Sequence, residues 1–392
     1  MTPAARVQAA IEILDLVIDA ARRGGPPADR VIADWTRPRR FIGSKDRRAV
    51  RELAYQAIRA CGPVPVSGRA AMLRLAEVDP SLSALFDGSR HGPAAIGQDE
   101  TVAVGGIAPD WLEARLAGSG VSGAAAEALL DRASLDLRVN TLKVDRNGLA
   151  LPLQAECTLA PQGLRVPAGT AVEQWDAYAS GLIEVQDTGS QLACLAVGAR
   201  PGETVVDLCA GAGGKTLALG AAMANRGTLV ASDTDRARLS RLAPRAERAG
   251  LAIVETVLLD PGREAQGLSA WKGRADAVLV DAPCSGTGTW RRNPEARWRL
   301  TEAGLARYVA LQARLLDVAA VLVRPGGRLV YVTCSLLDEE GANQIDAFLT
   351  RMPEWGAQPP SLPAGVRRGK GIRITPAQDG TDGFFVASLS PL

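Results

Sequence analysis

Apolar residues in the first part of the chain recur at the three- and four-residue spacing of an amphipathic helix. In the first predicted helix, residues 4–23, they are Val7, Ile11, Leu14 and Ile18. The Gly/Pro stretch 24–27 ends this helix, and residues 28–60 repeat the helical pattern with one interruption at 36–40. Short Ala/Leu-rich helices then continue to about residue 130. We therefore predict an all-α domain over residues 1–130.

The pattern changes at Leu135–Leu142, where apolar and polar residues alternate, which predicts a β-strand. A second strand is predicted at Gly163–Pro167, so residues 131–180 are expected to form a small α+β subdomain. From residue 181, short apolar runs alternate with longer helical stretches, as in βαβ units with right-handed crossovers. The predicted strands are Thr204–Leu208, Gly227–Ser232, Leu251–Val254, Asp276–Val280 and Gly327–Thr333. The pattern predicts a doubly wound α/β domain over residues 181–392.

The last part of this domain is predicted to hold one helix and one strand. The helix runs from Ile345 to Pro353, and a Pro/Gly/Arg-rich loop follows over residues 358–372. The final strand is predicted at Gly383–Ser388.

Composition removes several classes of protein from consideration. The net charge of +2 gives no overall basic field, and no run of 18 apolar residues or N-terminal signal pattern is present. We therefore expect a cytoplasmic protein that does not bind a membrane. The six cysteines form no Cys-x-x-Cys pair, which argues against a metal site or a disulfide framework. His91 is the single histidine, so histidine-based acid–base catalysis is not expected.

A local excess of positive charge is hidden by the near-neutral total. Residues 1–60 contain 12 Arg and Lys against 7 Asp and Glu. A cluster at 37–51 has Trp35 and Phe41 beside its basic residues, which are Arg37, Arg39, Arg40, Lys45, Arg47, Arg48 and Arg51. The cluster is either an RNA phosphate-binding face or an ordinary solvated helix face, and the sequence favours neither.

A glycine-rich loop joins the first predicted strand of the α/β domain to a helix, as in sites that bind a ligand against helix N–H groups. It comprises Cys209, Ala210, Gly211, Ala212, Gly213, Gly214 and Lys215. A nucleoside-triphosphate loop would need glycine at 209, and a dinucleotide loop would need glycine at 216. S-adenosylmethionine fits better, because Asp233 ends the second strand and Asp260 follows the third. Asp233 would bind the ribose hydroxyls and Asp260 would face the adenine.

The fourth predicted strand runs into Asp281-Ala-Pro-Cys-Ser-Gly-Thr-Gly288, and the fifth into Thr333-Cys334. Open α/β sheets bind their ligands at the carboxyl ends of the strands. A thiol there can act as a nucleophile, and a carboxylate beside it can bind a proton or a polar base edge. The chain thus has two candidate nucleophiles, Cys284 and Cys334, with Asp281 beside them. The alternative is that Cys284 is a buried small residue and Asp281 a helix cap.

Several motifs together resemble the RsmB/Fmu (Nop/Sun) family of RNA cytosine-5 methyltransferases. They are Asp207-Leu-Cys-Ala-Gly-Ala-Gly-Gly-Lys-Thr216, Asp281-Ala-Pro-Cys-Ser-Gly-Thr-Gly288, Val332-Thr-Cys-Ser335, Leu137-Arg-Val-Asn-Thr141, Val185-Gln-Asp-Thr-Gly-Ser190, Arg291-Arg-Asn-Pro294 and Asp382-Gly-Phe-Phe385. One departure is visible, since the family's loop usually reads Cys-Ala-Ala-Pro-Gly-Gly-Lys. The missing proline is not expected to abolish cofactor binding. Residues 1–130 are similar in helical texture to the family's NusB-like RNA-binding domain.

The resemblance implies a class I methyltransferase fold, S-adenosylmethionine as the cofactor, and transfer of its methyl group to carbon 5 of a cytosine in RNA. It assigns Cys334 as the nucleophile that attacks carbon 6 and Cys284 to product release. Asp281 is expected to contact the cofactor or the base, and Lys215 to position Asp281 or the ring. Cys209 is expected to be structural, and the remaining cysteines, Cys61, Cys157 and Cys194, to lie in the core. The segment after the Pro-Cys motif is expected to contact RNA through Trp290, Arg291, Arg292 and Trp298, with a core position as the alternative for Trp298.

The expected partner is RNA, most directly ribosomal RNA, and the protein is expected to be a monomer. The same reaction on transfer RNA is the first alternative. The second is a non-catalytic RNA-binding assembly factor, which the presence of both thiols and of the full Gly-Gly-Lys loop disfavours.

Overall fold

A computed structural model describes all residues from 1 to 392. The chain forms two compact units. Unit 1 comprises residues 1–131 together with 289–301, and unit 2 comprises residues 132–288 together with 302–392. The domain boundaries proposed from the sequence, at 130/131 and 180/181, stay predictions.

The chain contains sixteen α-helices and thirteen β-strands, numbered here in chain order. The helices are α1 (Pro3–Arg23), α2 (Ala28–Thr36), α3 (Ser44–Ala60), α4 (Gly68–Val78), α5 (Asp110–Gly118), α6 (Ala124–Glu127), α7 (Asp176–Ala179), α8 (Thr188–Val197), α9 (Gly214–Ala222), α10 (Arg236–Leu239), α11 (Leu242–Ala249), α12 (Glu264–Gly267), α13 (Ala296–Arg299), α14 (Glu302–Leu322), α15 (Ala342–Arg351) and α16 (Pro376–Asp379). The strands are β1 (Leu135–Val139), β2 (Glu156–Cys157), β3 (Gly163–Val166), β4 (Ile183–Val185), β5 (Thr204–Asp207), β6 (Thr228–Asp233), β7 (Val254–Leu258), β8 (Ala275–Asp281), β9 (Val323–Thr333), β10 (Trp355–Gln358), β11 (Val366–Arg368), β12 (Gly371–Ile374) and β13 (Phe384–Pro391).

Unit 1 is helical, and its core lies between α1, α3 and α4. The Thr2 hydroxyl accepts a hydrogen bond from the N–H of Ala5 and so caps α1. Gly24 ends α1 in the left-handed conformation, which suits glycine. The predicted helix over residues 4–23 is confirmed, as are the two helices within 28–60.

Segment 289–301 belongs to unit 1, although both of its ends continue into unit 2. The buried guanidinium of Arg297 donates to the carbonyl oxygens of Ile58 and Cys61, at 2.7 and 2.6 Å. The indole N–H of Trp298 donates to the carbonyl of Gly62 at 3.1 Å. Unit 1 thus uses side chains from the far half of the sequence to satisfy its own backbone groups.

The two tryptophans of this segment are core residues, so the expectation that Trp290 contacts RNA is wrong, and for Trp298 the alternative of a core position is confirmed. Trp290 is fully buried. Trp298 is 5% exposed and lies within the apolar core of unit 1. Arg291 is also buried, and Arg292 is half-buried. The sequence showed two aromatic and two basic residues together, but it did not show that the segment packs among helices.

Unit 2 contains a small antiparallel sheet in the order β2-β3-β1-β4. The strands predicted at 135–142 and 163–167 are present as β1 and β3. Cys157, which was expected in the core, is exposed, because β2 is a two-residue strand at the edge of this sheet with both residues exposed.

The large sheet of unit 2 has nine strands, in the order β11-β12-β13-β9-β8-β5-β6-β7, with β10 paired to β13. The five strands β9, β8, β5, β6 and β7 are parallel to one another. The remaining pairings are antiparallel: β13 pairs with β9, β12 and β10, and β11 pairs with β12. The central strands β8 and β9 each contain a fully buried apolar run, at residues 277–280 and 329–332, as expected for strands covered on both faces. The predicted doubly wound α/β sheet is confirmed.

Three predicted boundaries in unit 2 are wrong. The third parallel strand begins at Val254, because Leu251 is instead packed as a core residue after α11. The predicted 358–372 loop contains β11 and the start of β12, which pair as a hairpin. The helix predicted from Ile345 begins at Ala342. The pattern did not predict β7, β11 and β12 correctly because these strands are only three to five residues long.

No helix combines the length and the apolar character needed to cross a membrane. No group of three or more His, Cys, Asp or Glu side chains is arranged to hold a metal ion.

Candidate active site

The predicted site residues follow four neighbouring parallel strands at their carboxyl ends. Asp207 ends β5, Asp233 ends β6 and Asp281 ends β8, while Cys334 follows Thr333 at the end of β9. The strand register places Asp207 beside Leu279 of β8 and beside Ala231 of β6, and Asp281 beside Val332 of β9. One edge of the sheet therefore carries all of these groups.

The glycine-rich loop turns sharply between β5 and α9. Gly211 and Gly213 have φ angles of 55° and 85°, in the left-handed region that favours glycine. A Cβ at Gly213 would lie 2.1 Å from a methyl carbon of Leu242, whereas a Cβ at Gly214 would meet nothing within 4 Å. The N-terminal turn of α9 therefore opens onto free space on the side of Gly214.

Asp233 holds this loop from the neighbouring strand. Its carboxylate is buried and accepts hydrogen bonds from the N–H of Gly211 at 2.8 Å and the N–H of Asp235 at 2.7 Å. The guanidinium of Arg238 packs against Gly211, where a Cβ would lie 2.4 Å from its Nη2. A carboxylate, an exposed helix N-terminus and a guanidinium thus surround one loop, which fits a ligand that carries hydroxyl and carboxylate groups.

Arg238 was not predicted from the sequence as part of the site. It lies five residues after Asp233 in α10, where it resembles any other surface arginine of an Arg-rich helix. Asp260, which was predicted to face the adenine, lies exposed two residues beyond the end of β7. Its role stays a prediction.

Asp207 is a fully buried carboxyl group beneath the loop. Its Oδ2 accepts a hydrogen bond from the Thr216 hydroxyl at 2.7 Å, and its Oδ1 has no hydrogen-bond partner. Burial, and to a smaller extent the charge of Asp281, raise the pKa of Asp207 to about 7, against the effect of the Thr216 hydrogen bond.

Lys215 and Asp281 form an ion pair between the loop and the end of β8. Lys215 Nζ lies 2.7 Å from Asp281 Oδ2, and the Lys215 side chain is only 12% exposed. The ammonium group also lies 5.6 Å from the centre of the Phe384 ring. Burial alone would lower the pKa of Lys215, but the Asp281 carboxylate outweighs it and the pKa lies above its ordinary value. Lys215 is therefore a charged, held side chain rather than a surface lysine.

The two candidate nucleophiles are in direct contact. Cys284 Sγ and Cys334 Sγ lie 3.4 Å apart, and both residues are half-buried. The N–H of Gly288 donates to the carbonyl of Cys334 at 2.9 Å, which ties the two loops together. The hydrogen bond with Cys334 and burial raise the pKa of Cys284 well above its ordinary value. A pair of thiols in this arrangement is suited to covalent catalysis in which the two sulfurs have different tasks.

The other cysteines have environments that suppress reactivity, apart from the exposed Cys157. Burial raises the pKa of Cys61 to about 12 and of Cys194 to about 11. Cys209, in the glycine-rich loop, packs against the apolar core and has a pKa well above its ordinary value for the same reason.

A family model described as "16S rRNA methyltransferase RsmB/F" matches residues 194–390. Two curated proteins are similar over a longer part of the chain. One, from Synechocystis sp., is named "Probable ribosomal RNA small subunit methyltransferase B" and is 38% identical over 270 residues, which are 65% of this chain and 60% of that protein. The other, the "Ribosomal RNA small subunit methyltransferase B" of Xylella fastidiosa, is 36% identical over 293 residues, 72% of this chain and 68% of that protein.

Among solved structures, the crystal structure of PH0851 superposes with a TM-score of 0.76 at 26% identity, and covers 100% of this chain and 99% of that one. A structure described as a methyltransferase homolog protein from Pyrococcus horikoshii superposes with a TM-score of 0.59 at 25% identity, and covers 72% of this chain and 99% of that one. Together with the family match, these structures show the fold of the class I methyltransferases.

Proposed function

The chain belongs to the RsmB/F family of 16S rRNA methyltransferases, and from this membership we propose that it methylates carbon 5 of a cytosine in RNA, most directly small-subunit ribosomal RNA. The observation that carries the proposal is the contact between Cys284 and Cys334, beside the Lys215–Asp281 pair. The names of the relatives support an rRNA substrate, although the match spans only 60% of the Synechocystis protein. The proposed reaction would take place in the cytoplasm.

The cofactor of this family is S-adenosylmethionine, which supplies an electrophilic methyl group on a sulfonium centre. We propose that the loop from Cys209 to Lys215 binds it against the N-terminus of α9, with Asp233 at the ribose hydroxyls. Asp260 is proposed to face the adenine. The open space at Gly214 and the buried Asp233 support this placement.

Carbon 5 of cytosine is a poor nucleophile, and in the proposed chemistry a thiolate activates it. Cys334 adds through its sulfur to carbon 6, which makes carbon 5 electron-rich enough to take the methyl group. A base then removes the carbon-5 proton, and the carbon–sulfur bond breaks to restore the aromatic ring and the Cys334 thiolate. Cys284, in contact with the attacking sulfur, is assigned to this release step. Asp281, held by Lys215, is placed to contact the base or the cofactor.

We propose that unit 1 binds the RNA through the basic cluster at residues 37–51, which spans the turn between α2 and α3 and the first half of α3. Phe41 is 82% exposed, and the neighbouring Arg40, Lys45 and Arg48 are also exposed. An exposed ring among cations suits unpaired bases and phosphates. Trp35 takes no part, because it is buried and Arg39 covers its ring at 4.0 Å.

A covalent trapping experiment tests the assignment of the thiols. RNA that contains 5-azacytosine cannot complete the release step, so the wild-type protein should form a stable adduct on a denaturing gel. Cys334→Ser should form none, whereas Cys284→Ser should still form it. With ordinary RNA, Cys284→Ser should accumulate an adduct that the wild type resolves.

Cys157→Ser is the matched control, because Cys157 is the exposed thiol and should not affect trapping. Trapping that persists in Cys334→Ser and disappears in Cys284→Ser would reverse the two roles. Calorimetry without any binding of S-adenosylmethionine would favour the assembly-factor alternative. Bisulfite sequencing of ribosomal and transfer RNA from cells that lack the protein distinguishes the two RNA substrates.

A further inference from the structure

A buried carboxylate that plays no part in the reaction above lies beside the two thiols. Glu340 is fully buried, in the segment between Cys334 and α15. Its Oε1 accepts hydrogen bonds from the N–H of Ser285 at 2.8 Å and from Gln312 Nε2 at 3.0 Å. Its Oε2 accepts a hydrogen bond from the Ser285 hydroxyl. Both carboxylate oxygens are therefore bound to the residue that follows Cys284.

The backbone on each side of Cys284 is fixed by this arrangement. Gln312, which binds Glu340, also donates to the carbonyl of Pro283 at 2.9 Å. The Ser285 hydroxyl lies 3.2 Å from the hydroxyl of Ser335, the residue that follows Cys334. Glu340 thus helps to hold the loop of one thiol against the loop of the other, together with the hydrogen bond from Gly288 to the carbonyl of Cys334.

Cys284 and Cys334 interact with different charged groups. Glu340 adds a negative charge near Cys284 and contributes to its raised pKa, after the hydrogen bond with Cys334, burial and the charge of Cys334. Cys334 instead interacts with the charge of Lys215. This interaction favours the ammonium form of Lys215, after those with Asp281 and Cys194. Two thiolates in contact repel each other strongly, so one negative charge at most is expected on the pair.

We propose that Glu340 is a positioning residue that keeps Cys284 in the thiol form, so that Cys334 is the sulfur that ionises. Cys334 loses its proton to solvent, and Cys284 keeps its own proton while it remains in contact with the thiolate. The assignment of Cys334 as nucleophile rests on the proposed function. The order in which the two thiols ionise does not, and it can be measured without RNA.

The other titratable groups near the pair do not replace Glu340 in this role. Asp281 is paired with Lys215. Burial, followed by the charge of Cys284, raises the pKa values of Tyr308 of α14 and Tyr331 of β9, so both stay neutral near pH 7. Cys209, near Tyr331, has a pKa well above its ordinary value because it is buried. Glu340 is thus the carboxylate whose hydrogen bonds reach the Cys284 loop directly.

The test is pulse alkylation of the full chain with iodoacetamide from about pH 6 to about pH 10, with each cysteine peptide quantified by mass spectrometry. In the wild type, Cys334 should be labelled at lower pH than Cys284. Glu340→Gln keeps the shape of the side chain and removes the charge. It should raise the labelling of Cys284 relative to Cys334 by about tenfold, the effect of about one pKa unit.

Glu354→Gln, at an exposed carboxylate, should leave the ratio unchanged, and Glu340→Asp, which keeps the charge, should stay closer to the wild type than Glu340→Gln. An unchanged ratio in a Glu340→Gln protein that melts like the wild type would overturn the proposal. So would faster labelling of Cys284 in the wild type, a result that needs no variant to fold. If the thiols ionise in the proposed order but no methyl transfer is found, the inference holds and the proposed function fails.

Discussion

Asp207 shows at the scale of one residue how burial changes the chemistry of a carboxyl group. It lies under the glycine-rich loop with one oxygen bound to Thr216 and the other without a partner. Burial is the main reason that its pKa is about 7 rather than 3.8. The folded protein therefore binds a proton at this position over a pH range in which the unfolded chain has released it.

Protonation of Asp207 makes the free energy of unfolding depend on pH. Because the folded pKa is raised, the stabilising effect of the proton is complete below about pH 4 and is lost as the pH rises to about 7. Asp207→Asn cannot ionise, so the wild type should lose stability relative to this variant across that range, by on the order of 1 kcal/mol per pH unit. Urea denaturation at a series of pH values measures the difference. Asp145→Asn, at an exposed position of unit 2, should show no such trend, and equal slopes for both variants would contradict the prediction.

The individual site residues were predictable because their chemistry is visible in the sequence. Cys284, Cys334, Lys215 and the acids at strand ends are rare or charged residues in distinctive local patterns. Glu340 and Arg238 were missed because their importance lies in partners rather than in pattern. Glu340 is 55 residues from Ser285, its main partner, and nothing local to it predicts that contact.

At the scale of elements, the join between β5 and α9 determines the shape of the cofactor loop. Gly213 stands directly before the first residue of α9, with a φ of 85°, whereas Gly214 begins the helix with ordinary helical geometry. Leu242 of α11 closes the space beside Gly213 and leaves that beside Gly214 open. Adjacent glycines in one motif thus have different structural requirements.

Gly213→Ala should destabilise unit 2, because alanine is strained at this φ and its Cβ would displace Leu242. The expected loss is about 1–3 kcal/mol, and S-adenosylmethionine should bind more weakly because the loop must shift. Gly214→Ala is the matched control and should change the free energy of unfolding by less than about 0.5 kcal/mol. Chemical denaturation followed by circular dichroism gives both values. A larger loss in Gly214→Ala than in Gly213→Ala would show that the loop geometry has been assigned incorrectly.

The elements themselves were predictable where their apolar pattern was long. The central strands of the parallel sheet and α1 to α3 follow the sequence closely, since each buries a regular run of apolar residues. The strands β2, β10, β11 and β12 have two to four residues each and were not predicted. Such strands form because a neighbouring strand offers hydrogen-bonding groups, and that information is not local in the sequence.

At the scale of the whole molecule, the residues proposed for RNA binding and those proposed for the chemistry lie in different units. The carboxylates, lysine and thiols of the proposed reaction all belong to unit 2, whereas the exposed basic cluster belongs to unit 1. Segment 289–301 crosses this division, because its covalent ends are in unit 2 while Arg297 and Trp298 complete the core of unit 1. The sequence did not predict this membership, because the segment follows directly after the Pro-Cys motif and carries the basic and aromatic residues of an RNA-binding loop.

This division predicts that RNA affinity and covalent chemistry can be changed separately. Phe41→Ala should weaken binding of a single-stranded RNA by about tenfold, since stacking of a base on an aromatic ring contributes about 1–3 kcal/mol.

Replacement of Arg40, Lys45 and Arg48 by glutamine should reduce the dependence of affinity on salt, because fewer phosphate counterions are released on binding. Fluorescence anisotropy at several salt concentrations measures both effects. Neither set of changes should alter the alkylation of Cys334, because Cys284 and Cys334 belong to unit 2 and the substituted residues to unit 1. Val66→Ala, at another exposed apolar residue of unit 1, controls for loss of surface area. Wild-type affinity and salt dependence in the Phe41 and arginine–lysine variants would mean that the cluster is a solvated helix face, and that RNA is bound elsewhere on the chain.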